Sequence, residues 1–236
     1  MNLPRNMMPP LKIKILLRWL VERGVVKINE GPPELDFDLR DVGRDPVYFD
    51  LRFANDLAPL SPGITPQIGK AFADCLDGLL ARRHTPLTHI VGAPYGGDPF
   101  AEALAHMRGF APTRLKKEKN GEITGFLTIP PPKRAKIVIV ENVTASGQFL
   151  LKTARFIRAH DRSYRITAVL SCIDRDSGAK ELLEHSALEL MSVVSMKGAL
   201  DFFIGDMAFP QEPCMRSREH AKRLAQSSFE ALHKRS

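Results

Sequence analysis

The sequence predicts an α/β protein: a parallel sheet covered by helices on both faces. Three observations lead there. From Thr88 onward, short apolar runs alternate with segments of helical period, the pattern of repeated strand–helix–strand units. Ile137 to Val140 is a run of β-branched residues, as in a strand buried on both sides. After the polar stretch Glu141 to Gln148, which reads as a turn, Phe149, Leu150, Thr153, Phe156 and Ile157 recur at helical spacing. The alternation suggests a sheet of about five strands.

Taken in order, Leu11 to Val21 places Leu11, Ile15, Leu16, Trp19 and Leu20 on one helical face, and Gly24 can end that helix. Lysines and an arginine interrupt this segment and no small-residue cleavage site follows, so it reads as an amphipathic helix rather than a signal peptide. Val25 to Ile28, Asp36 to Leu39 and Pro46 to Arg52 read as short strands. Gln67 to Leu80 reads as a helix with Ile68, Phe72, Cys75, Leu76 and Leu79 inward. Thr88 to Val91 is a strand, Pro99 to Arg108 a helix and Ala111 to Leu115 a strand. A charged loop, Lys116 to Gly125, and a strand, Phe126 to Ile129, come next. Beyond the central unit lie a strand at Tyr164 to Ser171, a helix at Gly178 to Glu184, a strand at Leu188 to Val194 and a helix at Lys197 to Phe203. Phe209 to Pro213 reads as a linker. Met215 to Lys234 reads as an amphipathic helix burying Ala221, Leu224, Phe229 and Leu232.

Composition narrows the function classes. At 236 residues, 44% hydrophobic and 26% charged, the chain has the balance of a soluble globular protein, and no apolar run is long enough to span a bilayer. The three cysteines have no metal-binding spacing and cannot all pair, which favours a reducing compartment such as the cytoplasm. The seven histidines are scattered and read as structural. The net charge of +7 suits an anionic partner. Its spread along the chain, with local clusters at Arg114 to Lys119 and Arg216 to Arg223 but no long basic tail or interleaved aromatics, ranks a small anion above nucleic acid.

The central stretch carries the chemistry. The loop Thr144 to Gln148 enters a helix, where backbone N–H groups are free, and Gly147 lets backbone come close, so a phosphate can sit there. Glu141 stands at the carboxyl end of the strand, where open α/β sheets bind ligands. A lone glycine turn is a weak motif, and such turns occur in every α/β domain. Lys116, Lys117 and Lys119 alone read more readily as a solvated loop. Tyr95 can simply pack a turn, and Arg175 can pair with Asp174 or Asp176. Of Tyr48 and Phe49, neighbours on a strand, one faces the core.

Four segments read together say more: Asp36–Arg52 (DFDLRDVGRDPVYFDLR), Val91–Ala105 (VGAPYGGDPFAEALA), Arg114–Gly125 (RLKKEKNGEITG) leading into the central stretch, and Ala168–Leu183 (AVLSCIDRDSGAKELL). In this order and spacing they resemble orotate phosphoribosyltransferase, a type I phosphoribosyltransferase, over roughly Leu11 to Phe203. The resemblance implies transfer of ribose 5-phosphate from phosphoribosyl diphosphate (PRPP) to orotate, giving orotidine 5'-monophosphate in pyrimidine biosynthesis. It implies Mg²⁺ bound mainly through PRPP, no protein metal site, and a homodimer. It also implies a small hood from about residues 1–50 on a domain spanning 1–208, with 209–236 as an appended helix.

The roles the resemblance implies are these. Glu141 binds the ribose hydroxyls, and Asn142 stands where the family has an aspartate. Thr144, Ala145, Ser146, Gly147 and Gln148 wrap the 5-phosphate. Tyr95 lies against the diphosphate. Lys116 and Lys117 open the mobile catalytic loop, and Lys119 is a shifted substitute for a later lysine. Arg175 holds orotate, Arg40 matches a lysine reaching the substrates, and Tyr48 and Phe49 lie beside the orotate ring. The chain departs from the family in a shorter loop between Glu118 and Gly125, in Asn142, in Ala145 without a hydroxyl, and in the bulk of Gln148 and Phe149. A catalytically silent relative that binds PRPP or a nucleotide and acts through a partner is the alternative those departures leave.

Overall fold

The computed structural model describes residues 10–39, 43–51, 64–84 and 86–233. Helix α1 (Pro10–Glu22) leads into two antiparallel ribbons. Strand β1 (Val26–Ile28) pairs with β4 (Val47–Phe49), and β2 (Phe37–Leu39) pairs with β3 (Gly43–Asp45). Helix α2 (Ile64–Arg82) precedes the main sheet. Then follow β5 (His89–Gly92), α3 (Asp98–Arg108), β6 (Leu115–Lys117), β7 (Ile123–Phe126), β8 (Lys136–Thr144) and α4 (Gln148–His160). The last elements are β9 (Arg165–Asp174), α5 (Ala179–His185), β10 (Leu190–Ser195), α6 (Met196–Asp206) and α7 (Gln211–His233). No helix among the described residues is long and apolar enough to cross a membrane.

The main sheet is parallel, in the order β10–β9–β8–β5. Alternation along its strands sorts two cores. Val138, Val140, Ala168 and Leu170 face α2 and α3 with Phe72, Phe100 and Leu104. Ile137, Ile139 and Val169 face α4 and α5 with Leu150, Ala154, Ile157 and Leu183. This is the period-two pattern of a strand buried on both sides. Phe72 and Phe100 meet edge to face at 5.5 Å, the favoured aromatic geometry.

Several expectations are corrected. The fifth strand shrinks to one parallel bridge, Val91 to Thr113, so the sheet is four-stranded. The stretch read as a charged loop and a later strand is a hairpin, β6 with β7, in which Leu115 faces Phe126. Its turn is closed by Glu118 N–H donating to the Glu122 carbonyl, with Gly121 in the left-handed region at φ +86°. Asn120-Gly121 is the local signal for such a turn. The polar stretch after Val140 is no turn at first: β8 continues to Thr144 because β9 also runs on, pairing Val143 with Ile173 and Thr144 with Asp174. Gln211 to Pro213 form the first turn of α7 rather than a linker, where proline needs no N–H partner. Of the side chains expected inward on α7, Ala221 is buried, Leu224 is half-buried and Phe229 is 51% exposed. Cys214 and Ser217 are buried instead. The side chains of Ile68 and Leu232 lie outside the described residues.

The ribbons are fastened to the rest through Asp45. Its carboxylate takes an ion pair from Arg175 at 2.8 Å, a hydrogen bond from the Ser217 hydroxyl at 2.8 Å, and contact with His220 Nδ1 at 3.0 Å. Arg175 also donates to the Val47 carbonyl. Burial would push the Asp45 carboxyl up, but His220, Arg175, the Val47 N–H and Ser217 together hold it below its usual value. Such an acid stabilises the fold above its unfolded pKa and loses that contribution as pH falls through its folded pKa. Removing one partner of a buried pair costs about 3–5 kcal/mol. Asp45→Ala should therefore lower unfolding free energy in urea titrations by about that amount at neutral pH, with the deficit shrinking in acid. An Asp45→Ala protein as stable as wild type would show that the pair contributes nothing.

Candidate active site

The fold itself selects a place for ligands. From β5 the chain passes through α3 to the Thr113 bridge on one side; from β8 it passes through α4 to β9 on the other. Right-handed crossovers that leave in opposite directions lie on opposite faces, as α3 and α4 do. Between them the carboxyl ends of β5 and β8 part, and such a switch point is where open α/β sheets bind ligands. A cavity of about 760 Å³ lies there. Its wall combines the turn after β5 (Pro94, Tyr95, Gly96), the hairpin (Lys117, Asn120, Gly121), the end of β8 (Glu141 to Thr144) and the entry to α4 (Ala145 to Leu150, Lys152).

Two glycines make this wall possible. A Cβ at Gly97 would stand 1.9 Å from the Val140 carbonyl oxygen, so only glycine lets the β5–α3 turn lie against β8. Gly147 caps α4 in the left-handed region at φ +76°, and a Cβ there would press on Ala179 at 3.1 Å. The first turn of α4 thus opens on the cavity, with the free N–H groups and positive dipole end of any helix start.

Most of the expected residues come together here, and some do not. Glu141, Asn142, Thr144, Ala145, Ser146, Gly147, Gln148, Tyr95 and Lys117 all line the cavity. The Thr144 hydroxyl, however, donates inward to Ser171 Oγ at 2.8 Å, and Ser171 donates to the Ile173 carbonyl. The Thr144 hydroxyl is therefore committed inward, and its carbonyl accepts from the Arg175 N–H. Tyr95 does not pack its turn: it is 61% exposed and its hydroxyl donates to the Lys117 carbonyl at 2.9 Å. Alternation along β6 sends Lys116 the other way, into an ion pair with Glu118 at 2.9 Å. Lys119 sits exposed in the hairpin turn, off the cavity wall. Arg175 is buried, committed to Asp45, and not part of this wall. Phe49 is core against Phe203, while Tyr48 is half-buried beside Phe37; neither reaches the cavity. Arg40 lies outside the described residues.

Sequence reasoning missed Lys152 and the role of Phe149 as wall. Lys152 follows Gln148 by four residues, so helical spacing alone puts both on one face.

Glu141 is the electrostatic feature of the site. Burial pushes its carboxyl up to about 8, against the opposing pull of the Asn142 N–H, 2.9 Å from Oε1, and of Lys117. Nearby Asp98, itself raised by burial, adds to the upward push. An acid with a raised folded-state pKa makes the fold less stable as pH rises above its unfolded value. Stability should fall on this account from pH 4.5 towards about 8. Glu141→Gln should flatten that decline; denaturant titrations at about pH 5 and about pH 8 measure it. Equal declines in both proteins would count against a buried, proton-holding Glu141.

No family model matches the chain. It is 26% identical over 189 residues to the orotate phosphoribosyltransferase of Aeropyrum pernix, covering 80% of this chain and 92% of that one. The crystal structure of an orotate phosphoribosyltransferase from Aeropyrum pernix superposes with a TM-score of 0.62 at 24% identity, over 82% of this chain and 99% of that one. Leishmania donovani UMP synthase gives a TM-score of 0.72 at 21% identity over 89% of this chain, which spans only 42% of that longer protein. The orotate phosphoribosyltransferase of Mycobacterium tuberculosis in complex with PRPP gives 0.57 at 21% identity, over 80% of this chain and 98% of that one. By sequence the chain is similar to orotate phosphoribosyltransferases, and its helix-flanked parallel sheet is the type I phosphoribosyltransferase fold.

Proposed function

We propose that the chain is an orotate phosphoribosyltransferase, a pentosyltransferase that moves ribose 5-phosphate from PRPP to orotate and releases diphosphate. The observation that carries this reading is the cavity at the switch point, where the start of α4, Glu141 and Lys117 share one wall. A substrate with a phosphate at one end and a diphosphate at the other needs N–H donors and a cation at separate places. Here the α4 entry, with Ser146 and Gly147, would receive the 5-phosphate. Glu141 would meet the ribose hydroxyls, and Tyr95 and Lys117 the diphosphate.

Mg²⁺ belongs to the same reading as an ion arriving on PRPP. Among the described residues no group of three or more His, Cys, Asp or Glu converges as a metal site. The oxygens of Glu141 and Asn142 on the cavity wall suit a hard cation that keeps diphosphate and water as its main ligands. When bound, the ion would neutralise diphosphate charge. Lys117, on the same wall, adds a positive charge. A homodimer and a cytoplasmic setting complete the proposal; the latter is supported by three cysteines that are all unpaired and buried.

The direct test is PRPP-dependent loss of orotate absorbance in the presence of Mg²⁺. A cation acting on the leaving group stabilises the transition state more than the ground state. Lys117→Ala should therefore lower kcat on the order of a hundredfold with a much smaller change in PRPP affinity. A wild-type protein that binds PRPP but turns over no orotate, and that Asn142→Asp does not rescue, would leave the silent PRPP-binding relative in its place.

A further inference from the structure

Phe149 is a wall residue that the scheme above leaves without a task. The centroid of its ring lies 4.5 Å from Lys117 Nζ, and the Tyr95 ring lies 4.6 Å from the same atom. The three groups come from separate elements: Tyr95 from the turn after β5, Lys117 from β6 and Phe149 from the first turn of α4. Tyr95 pins the lysine a second time, through its hydroxyl to the Lys117 carbonyl at 2.9 Å. The hairpin that carries Lys117 is itself docked on α4, where Phe126 packs on Phe156 and His160 at 5.6 and 4.7 Å between ring centroids.

We propose that Phe149 and Tyr95 are positioning residues that hold the Lys117 ammonium at the anion end of the cavity, so that the short hairpin presents its cation without first closing. This rests on the reading that the cavity takes a diphosphate-bearing substrate. The face of an aromatic ring attracts an ammonium through its quadrupole. A ring is neutral, so it fixes the cation without cancelling its charge; a carboxylate would do both. A lysine side chain has many rotamers, and ordering it when substrate arrives weakens binding. Two rings from separate parts of the wall impose that order beforehand, which is the requirement for effective electrostatic stabilisation.

The test uses the full chain and inorganic diphosphate as the probe. Phe149→Leu keeps apolar bulk and loses the ring face; calorimetry should show diphosphate bound on the order of five- to tenfold more weakly. Phe149→Trp keeps a ring face and should bind near wild type. Independently, the Lys117 ε-methylene NMR signal, assigned by its absence in Lys117→Arg, should be shifted upfield by the ring currents in wild type and relax in Phe149→Leu. Several results would overturn the proposal: a random-coil shift for that methylene in wild type, no diphosphate binding by wild type, equal affinity in wild type and Phe149→Leu, or equal losses in the Leu and Trp variants. Ring-dependent diphosphate binding in a protein that turns over no orotate would support the clamp and remove only the orotate reading.

Discussion

Backbone pairing of β8 on both of its sides is the constraint on which the rest depends. Val138 to Val140 pair with β5 on one side and β9 on the other. A strand so placed can bend nowhere along that length without breaking two ladders. Everything at its carboxyl end therefore inherits a fixed origin: Glu141 in the wall, the turn after β5 lying against the Val140 carbonyl, and Gly147 at the mouth of α4. The register also sorts the two cores, because one residue of slip would exchange Ile139 and Val140 between faces.

The architecture was legible because its signals are local and repeated. A β-branched run and a helical period each announce themselves within a few residues, and both survived in β8 and α4. Failures came where the outcome is settled by a partner distant in sequence. Nothing in Glu141 to Thr144 says strand; the length of β9 does. Thr113 has extended neighbours yet makes a single bridge. The hairpin is an exception, since Asn120-Gly121 is a local turn signal.

The site divides in the same way. The phosphate-loop residues and Glu141 could be named because order along the chain fixes them at one strand end. The alternation of β6 separates Lys117 from Lys116, and no composition argument distinguishes two adjacent lysines. Arg175 illustrates the opposite limit: a cation beside two aspartates in sequence finds its counter-ion in Asp45, on a ribbon far away in the chain. The electrostatics follow from burial. Glu141 is costly to ionise where it stands, and the nearby Lys117 lies against the Tyr95 and Phe149 rings.

The fastening at Asp45 has a consequence for the order in which the molecule can be assembled. Its hydroxyl and imidazole partners, Ser217 and His220, lie 172 and 175 positions further along the chain. Contacts of such separation carry a high closure entropy and form late. During synthesis the Val47 N–H can reach that carboxylate at once and Arg175 comes later, but the set is complete only when α7 brings Ser217 and His220. The main sheet, whose paired strands lie much closer to one another in the chain, is free to form earlier. The ribbons would then settle onto a finished sheet as a closing step, and the nascent chain would carry an open edge for most of its time on the ribosome.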